Sequence, residues 1–570
     1  MVKFSFSVPQ PNTQYIHIDA VIPTKQDCTV VQLPAWRPGR YELGNFAKNV
    51  RNFKVSDAKN KKLSFRKLNK DSWEVDTSNC DEIVVGYNFY ASDMNAGSTY
   101  ADKDQLYVNP VNCCVFTKET FNDEVEVSLA IPDSWEVATS MQAKNGKWYV
   151  ENTEELLDSP FIASAMLQHN SYESNGVTFH IWFNGIITPD WERLIKDFKA
   201  FTDSQIAKFT EFPVKEYHYL NQILPYQTYH GVEHTKSTVV ALGPSYEVFG
   251  SLYKELLGVS SHELYHTWNV KTIRPTEMMP YDFTKENYSP LGYLCEGVTT
   301  YMGDLFLYKS GVFNQEQYLD EMNTQLQRHF DNHGRFHYSV AESSFDTWLD
   351  GYVPGAPGRK VSIYTEGCLL AFITDVKLLE ATKNKYGLDE VMKRLYFQFA
   401  LEGKGVSEAD YKATVEAVGK FSFDEIFNDY IHGTKPFESL LTYCFDYLGL
   451  ELQHQPEESY AAGRLGFKFM NSSRGGAVIK LMYPGGPAEL GGLMLEDEIV
   501  AVNGLEVKNN VNEWFHYFDD HQKEVTIFRK GQLLTLTLPE VNRYFYNKYQ
   551  IKPVKDPNGP QKAGMKAWTS

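Results

Sequence analysis

The sequence predicts a multidomain α+β protein with three folded regions and a tail. The first 170 or so residues alternate apolar and polar positions in short runs such as 15–22, 82–90 and 124–131. This period of two is typical of an antiparallel β-sandwich. From about residue 188 the apolar spacing becomes helical, and near residue 450 short strands and glycine turns follow. We therefore expect an N-terminal β domain at 1–170, an α+β domain at 171–450, a small domain at 451–540 and a tail at 541–570.

Individual elements can be predicted within the second and third regions. Apolar residues recur at helical spacing in four segments of the second region, which are 191–209, 246–269, 294–308 and 366–379. The β-branched run 237–242 predicts a strand between the first two helices. A mixed sheet beside helices is the α+β arrangement. In the third region, 511–521 has the spacing of one helix.

Charge and composition restrict the partners and the compartment. The chain has 55 Lys plus Arg against 73 Asp plus Glu, a net charge of -18, which disfavours binding to nucleic acid. Its seven cysteines are odd in number and form no C-x-x-C pair, which indicates a reducing compartment. We find no signal-type apolar run and no segment of about 18 apolar residues. We expect a cytoplasmic protein without a membrane span.

The strongest chemical signal is the H-E-L-Y-H sequence at 262–266. His262 and His266 lie one helical turn apart, so their imidazoles can bind one ion, for which Zn²⁺ is well suited. Glu263 then sits beside the open metal position, where it can accept a proton from water. A chance match within an ordinary helix is the alternative interpretation.

A third ligand is needed for a catalytic zinc site. Glu296 lies thirty residues beyond His266, within an apolar helical segment. A carboxylate among apolar neighbours is costly unless it is paired. Glu296 is therefore the candidate third ligand, and a structural salt bridge is its alternative role.

Taken together, these residues resemble the glycyl aminopeptidase family of gluzincin zinc metallopeptidases. The resemblance extends to 33–41 in the β domain, 156–160 at its exit and 266–275 after the H-E-x-x-H helix. It implies an N-terminal β domain, a thermolysin-like catalytic domain and a C-terminal PDZ domain. It also implies one zinc ion per chain and peptide substrates with a free N-terminus.

The resemblance also assigns substrate-binding residues. The segment 230–234, H-G-V-E-H, is similar to the family's G-G-x-E-H, and His230 stands where the family usually has glycine. In this resemblance Glu233 pairs with the α-ammonium of the substrate, and Gly231 and His234 line the same site. An ordinary solvated carboxylate is the alternative role of Glu233.

Two further features come from the resemblance. Tyr364 lies in a segment similar to the family's Y-x-K-G, with Glu366 in place of the lysine, which implies that its hydroxyl donates to the oxyanion. The loop 465–467 and the glycine-rich segment 486–493 look like those of a PDZ domain, whose groove binds a peptide C-terminus or an added strand. A purely structural role for this domain is the alternative.

The function that we expect is hydrolysis of the first peptide bond by a zinc aminopeptidase, and the family implies a preference for Gly or Ala. Two alternatives stay open. One is a zinc endopeptidase that has no need for a free N-terminus. The other is a PDZ-bearing interaction protein whose metal site is catalytically silent.

Overall fold

The computed structural model describes residues 1–353 and 355–570, which form two compact units. The first unit comprises Met1–Tyr318, Tyr338–Lys435 and Ala563–Ser570. The second comprises Leu319–His337 and Pro436–Lys562. The multidomain α+β class predicted from the sequence is confirmed.

The N-terminal part of the first unit is rich in strands. Its elements are β1 (Val2–Ser7), β2 (Tyr15–Pro23), β3 (Cys28–Gln32), β4 (Val50–Asp57), β5 (Phe65–Lys67), β6 (Ser72–Asp76), β7 (Glu82–Tyr90), β8 (Tyr100–Ala101), β9 (Gln105–Val108), α1 (Pro110–Cys113), β10 (Val125–Ala130), β11 (Glu136–Thr139), β12 (Gln142–Lys144), β13 (Lys147–Val150), α2 (Thr153–Leu157) and β14 (Phe161–Ser164). Burial alternates along β1 and β2, as the period of two predicts.

These strands form three sheets. The largest has the order β12-β13-β10-β1-β2-β7-β4, the second β11-β14-β9-β8 and the third β3-β6-β5. The prediction of a wholly antiparallel sandwich is wrong at one place, because β1 and β10 pair in parallel. The two strands are separated by more than a hundred residues of chain, and a connection of that length allows β10 to enter from the same end as β1.

The remainder of the first unit combines a mixed sheet with helices. Its elements are β15 (Gln168–Ser174), β16 (Val177–Asn184), α3 (Trp191–Phe209), β17 (Glu216–Ile223), β18 (Thr228–Glu233), β19 (Ser237–Gly243), α4 (Tyr253–Tyr265), α5 (Val298–Lys309), α6 (Gln315–Asp331, which continues past this unit), α7 (Val340–Phe345), α8 (Thr347–Asp350), α9 (Ile363–Ala381), α10 (Leu388–Leu395) and α11 (Glu408–Gly419). The sheet order is β15-β16-β17-β19-β18. The predicted helix at 191–209 and strand at 237–242 are confirmed.

Two predicted helices have different ends in the structure. The helix predicted at 246–269 is shorter, because α4 ends at Tyr265 and the chain continues as turns that contain the β-branched residues Thr267, Val270 and Thr272. The segment predicted as a helix at 294–308 begins with a π-helical turn, Tyr293–Gly297, before α5.

The second unit contains a six-stranded antiparallel sheet and a separate two-stranded sheet. Its elements are α12 (Glu438–Tyr447), β20 (Leu450–Pro456), α13 (Tyr460–Gly463), β21 (Phe467–Asn471), β22 (Ala477–Met482), α14 (Pro487–Leu490), β23 (Glu498–Val502), β24 (Leu505–Glu506), α15 (Val511–Tyr517), β25 (Lys523–Arg529), β26 (Gln532–Leu538) and β27 (Asn547–Pro553). The larger sheet has the order β21-β22-β23-β25-β26, with β24 beside β23, and β20 pairs with β27. No helix in residues 1–353 and 355–570 has both the length and the apolar character needed to cross a bilayer.

The last residues of the chain anchor the first unit. The segment predicted as a tail contains β27 and the helix α16 (Gly559–Trp568). Trp568 is only 1% exposed, and its Nε1 donates to the Tyr301 hydroxyl at 2.7 Å. Tyr301 in turn donates to Asp375. Trp568 thereby connects to α5 and α9, the helices that extend from the candidate site described below.

We predict that Trp568→Ala lowers the free energy of unfolding by about 3–5 kcal/mol, because it leaves a cavity between α5 and α9. Trp568→Phe is the matched control, since it keeps an aromatic ring and removes the N–H donor, at a cost of about 1 kcal/mol. Urea denaturation followed by circular dichroism measures both changes. A Trp568→Ala midpoint equal to that of Ile186→Ala, at a position 80% exposed, would contradict this packing role.

Candidate active site

The helix α4 presents two imidazoles at its C-terminal end. His262 lies in the last turn and His266 directly follows the helix, and their Nε2 atoms are 3.0 Å apart. The helix α5 approaches α4 closely here, because a Cβ on Gly303 would lie 2.9 Å from the Cα of His262. The close approach requires glycine at position 303.

Glu296 reaches the two histidines from the π-helical turn Tyr293–Gly297. Its Oε2 lies 3.3 Å from Nε2 of His266 and 3.8 Å from Nε2 of His262, and its side chain is 2% exposed. A π turn contains one residue more than an α turn and is frequent at functional sites. The structure thus brings together the three residues that the sequence singled out as metal ligands.

Hydrogen bonds from Asn269 fix the orientation of these groups. Nδ1 of His266 donates to the Asn269 carbonyl at 2.7 Å, so in the neutral ring the lone pair is on Nε2. The Asn269 side chain donates to the Leu294 carbonyl at 2.9 Å and to Thr299 Oγ1 at 3.1 Å. Asn269 therefore connects His266 to the turn that carries Glu296.

The three ligand atoms fit a zinc ion. Bonds of about 2.0–2.1 Å in a tetrahedral site place ligand atoms about 3.3 Å apart, close to the 3.0, 3.3 and 3.8 Å found here. Two imidazoles and one carboxylate form a typical catalytic zinc set, which leaves the fourth position for water or substrate. Burial, followed by the neighbouring His266, lowers the pKa of His262, so His262 is neutral and able to bind a metal.

Glu263 lies between the histidines and β18. It is 4% exposed, and its Oε2 has no hydrogen-bond partner among the described residues. A Cβ on Gly231 of β18 would overlap Oε1 of Glu263, so glycine is needed where the strand passes this carboxylate. Burial raises the pKa of Glu263 well above its ordinary value, and Glu233 and Glu296 add to this effect against His266.

Glu233 lies at the end of β18 and joins the same cluster. One carboxylate oxygen of Glu233, one of Glu263 and a ring nitrogen of His266 lie within 4.8 Å of one another. Glu233 is 4% exposed, and its Oε1 is without a partner in the part of the chain that the structure describes. A Cβ on Gly39 would overlap its other oxygen, so the loop 37–40 closes over Glu233.

The same loop contributes Arg37, which the sequence analysis did not single out. Arg37 is 6% exposed, and its Nη1 has no hydrogen-bond partner within residues 1–353 and 355–570. Burial lowers its pKa and so does Arg40, whereas Glu233 favours its charged form. The guanidinium fits against the backbone because Gly97 has no Cβ. In the sequence, Arg37 is marked only by its position within the segment 33–41, which resembles the family.

Tyr364 lies beside Glu296 near the start of α9. The approach depends on two facing glycines, since a Cβ on Gly367 would lie 2.7 Å from the Cα of Gly297. Burial raises the pKa of Tyr364 well above its ordinary value, and the adjacent Glu296 and Tyr352 raise it further. The hydroxyl therefore keeps its proton at neutral pH and is able to donate it to a hydrogen bond.

His234 is placed by a buried ionic network. It is 5% exposed, and its Nδ1 lies 3.1 Å from Oδ1 of Asp158. Nζ of Lys271 donates to the same oxygen at 2.8 Å, and the Thr235 N–H donates to the other at 2.8 Å. Burial opposes ionisation of Asp158, but Lys271 and His234 outweigh it and lower the pKa of Asp158. Asp158 thus connects three segments of the resemblance, 156–160, 230–234 and 266–275.

Two segments of the chain match protein-family models. Residues 3–165 match the peptidase M61 N-terminal domain, and residues 255–370 match M61 glycyl aminopeptidase. The chain belongs to the M61 peptidase family. The second match contains His262, Glu263, His266, Glu296 and Tyr364, and the resemblance and the peptidase function predicted from the sequence are confirmed at this level.

Comparison with solved structures finds the same fold over the whole chain. An aminopeptidase N family protein from Idiomarina loihiensis is 24% identical, with 100% of each chain covered and a TM-score of 0.91. An M1 zinc metallopeptidase mutant from Deinococcus radiodurans, bound to a Tyr-Ser-Ala substrate, is 14% identical over 73% of this chain and 89% of that one, with a TM-score of 0.45. The comparison with curated proteins gave no match.

We predict that Gly231→Ala abolishes most peptidase activity while the protein remains folded, because the new methyl group displaces the Glu263 carboxylate. Gly258→Ala is the matched control in α4, where a Cβ would meet no atom within 4 Å. We expect it to keep activity and to stabilise the helix by up to about 1 kcal/mol. Peptide hydrolysis and thermal melting of both variants measure the effects, and equal activities would contradict the proximity of Gly231 to Glu263.

We predict that the stabilisation by Asp158 depends on pH. Its pKa is lowered far below the ordinary value in the folded protein, so its contribution is complete above the unfolded value of about 4 and is lost progressively as the pH falls from there toward the folded pKa. Asp158→Asn should lower the free energy of unfolding by about 3 kcal/mol at pH 7, and by about 1 kcal/mol less than that at pH 3. Denaturant unfolding at both pH values tests this, with Asp104→Asn, at an exposed ion pair, as the control. A deficit of equal size at both pH values would refute the role of the ionised carboxylate.

Proposed function

We propose that this M61 peptidase is a zinc-dependent aminopeptidase that releases one residue at a time from peptides with a free N-terminus. The observation that carries the proposal is the single buried cluster of the ligand set His262, His266 and Glu296 with two further carboxylates. Both of these, Glu263 and Glu233, have an oxygen without a partner among the described residues. The free oxygen of Glu263 suits the reacting water, and that of Glu233 suits the substrate amine.

In this proposal one zinc ion per chain is held by His262, His266 and Glu296. When bound there, zinc supplies the Lewis acidity that activates a water molecule and polarises the scissile carbonyl. Asn269 holds the ring of His266 in the required tautomer. Glu263, which has one unpartnered oxygen among the described residues, lies in a group with His266 and Glu233.

Glu263 is the general base. It accepts a proton from the attacking water while the water oxygen bonds to the carbonyl carbon, and it returns the proton to the leaving nitrogen as the C–N bond breaks. Its raised pKa strengthens it as a base relative to an ordinary carboxylate. Tyr364 keeps its hydroxyl proton and donates a hydrogen bond to the developing oxyanion.

Glu233 limits the reaction to the first peptide bond. A carboxylate that is 4% exposed pairs strongly with an ammonium group, because the surroundings screen the attraction poorly. The loop that carries Gly39 closes over Glu233, which supports a preference for short side chains such as those of Gly and Ala. Burial, with Arg37 and Arg40 of the same loop, lowers the pKa of His230 to about 4.

We also propose that the larger sheet of the second unit is a PDZ domain that binds a peptide C-terminus. Two features support this assignment. Gly466, in the loop before β21, has a φ of +75°, a conformation suited to a tight backbone turn. The strand β21 lies at the edge of its sheet, where an additional strand can pair.

We predict that Glu263→Gln lowers kcat by about 10²–10⁴-fold and retains one zinc ion per chain, because it removes the base and keeps the ligands. Hydrolysis of alanine p-nitroanilide and elemental analysis of the purified protein measure the two properties. Glu192→Gln, at an exposed position of α3, is the control and should behave as the wild type. Full turnover by Glu263→Gln would overturn the assignment of the base.

We predict that the wild type cleaves alanine p-nitroanilide and leaves its N-acetylated form intact. Glu233→Gln should lower kcat/KM for the free-amine substrate by about 30-fold or more, because the ammonium loses a poorly solvated partner. If the acetylated substrate is cleaved equally well, the protein is an endopeptidase. If zinc is bound and neither substrate is cleaved, the metal site is catalytically silent.

A further inference from the structure

A second group of metal-binding side chains lies on the mixed sheet of the first unit. The strands β16 and β17 pair in parallel, and His180 stands directly opposite His218. Glu216 precedes His218 by two residues and therefore projects from the same face of the sheet. One ligand atom from each of these three residues lies within 4.8 Å of the others.

Neighbouring rings hold the two histidines in place. Nε2 of His169 on β15 lies 3.0 Å from Nδ1 of His180, and the ring of Trp182 stacks on His169 at 3.9 Å between centroids. Trp182 Nε1 also donates to Nδ1 of His218 at 3.3 Å. The contact with His169 restricts the orientation of His180, as a hydrogen bond on the second ring nitrogen usually does for a metal ligand.

Two carboxylates give this group a negative surrounding. Glu216 is one of the three clustered residues, and Glu173 also acts electrostatically on His180. Negative charge beside two imidazoles favours binding of a cation.

We propose that His180, His218 and Glu216 form a second site for a divalent transition-metal ion such as Zn²⁺, with His169 as the group that orients His180. Two imidazoles and one carboxylate suit zinc, nickel or copper better than calcium or magnesium. In the bound state Nδ1–H of His180 donates to Nε2 of His169, and Nε2 of His180 binds the ion. His218 binds through Nε2 after its proton moves to Nδ1, which ends the long hydrogen bond from Trp182.

The site joins strands whose ligands lie 38 residues apart in sequence. An ion held by β16 and β17 stabilises the folded state, because the unfolded chain does not bring these ligands together. The ligand set shares no residue with His262, His266 and Glu296. Occupancy of this site is therefore separable from occupancy of the proposed catalytic site.

The test is a zinc titration of the full-length, metal-stripped protein, with bound zinc measured by equilibrium dialysis and elemental analysis. We expect two zinc ions per chain in the wild type and in the control His17→Ala, where a histidine lies near a single carboxylate. His180→Ala should bind one ion. His262→Ala should also bind one, and the double variant should bind none at the same free zinc concentration.

Each outcome decides between the two sites. One zinc ion in the wild type that is lost in His262→Ala, or two ions retained by His180→Ala, overturns the second site. One ion that is lost in His180→Ala and kept in His262→Ala supports the second site and overturns the catalytic one. If His180→Ala does not fold, Glu216→Gln at an exposed position replaces it, and we expect the dissociation constant of the second zinc to rise at least about tenfold. An unchanged dissociation constant in that variant rejects the proposal.

Discussion

The mutual repulsion of three buried carboxylates is the constraint on which the active site depends. Glu233, Glu263 and Glu296 are 4%, 4% and 2% exposed, and all three lie close to His266. Two like charges about 4 Å apart repel by about 4 kcal/mol at an effective dielectric constant of about 20. Such a cluster requires positive charge, which in our proposal a divalent ion between the histidines and Glu296 would supply together with the chemistry. Arg37, which lies beside Glu233, supplies further positive charge.

The fold brings these charges together through close backbone contacts. Gly303 allows α5 to approach the helix of His262, and the facing Gly297 and Gly367 allow α9 to bring Tyr364 to Glu296. Gly231 gives Glu263 room beside β18. At each of these glycines the missing side chain lets two elements pack closely. The distances within the site are therefore set largely by the packing of helices and strands. The hydrogen bond from Trp568 to Tyr301, which in turn bonds to Asp375, also helps to hold α5 and α9 in place.

Most residues of this site could be predicted from local sequence motifs, whereas the features that depend on long-range pairing could not. The spacing of His262 and His266 specifies one helix face, and the resemblance assigned Glu233 and Tyr364, which the fold places around the same cluster. Arg37 could not be predicted, because a buried cation on a loop has no periodicity and its partners come from distant strands. The π turn at Glu296 and the parallel pairing of β1 with β10 also depend on tertiary packing. The pair of His180 and His218 becomes visible only when the register of β16 and β17 is known.

The most direct test of the central claim is a crystal of the zinc-loaded protein measured above and below the zinc absorption edge. Our account predicts an anomalous difference peak within bonding distance, about 2.0–2.2 Å, of Nε2 of His262, Nε2 of His266 and a carboxylate oxygen of Glu296. No peak among these three side chains, in a crystal grown with excess zinc, would contradict the account.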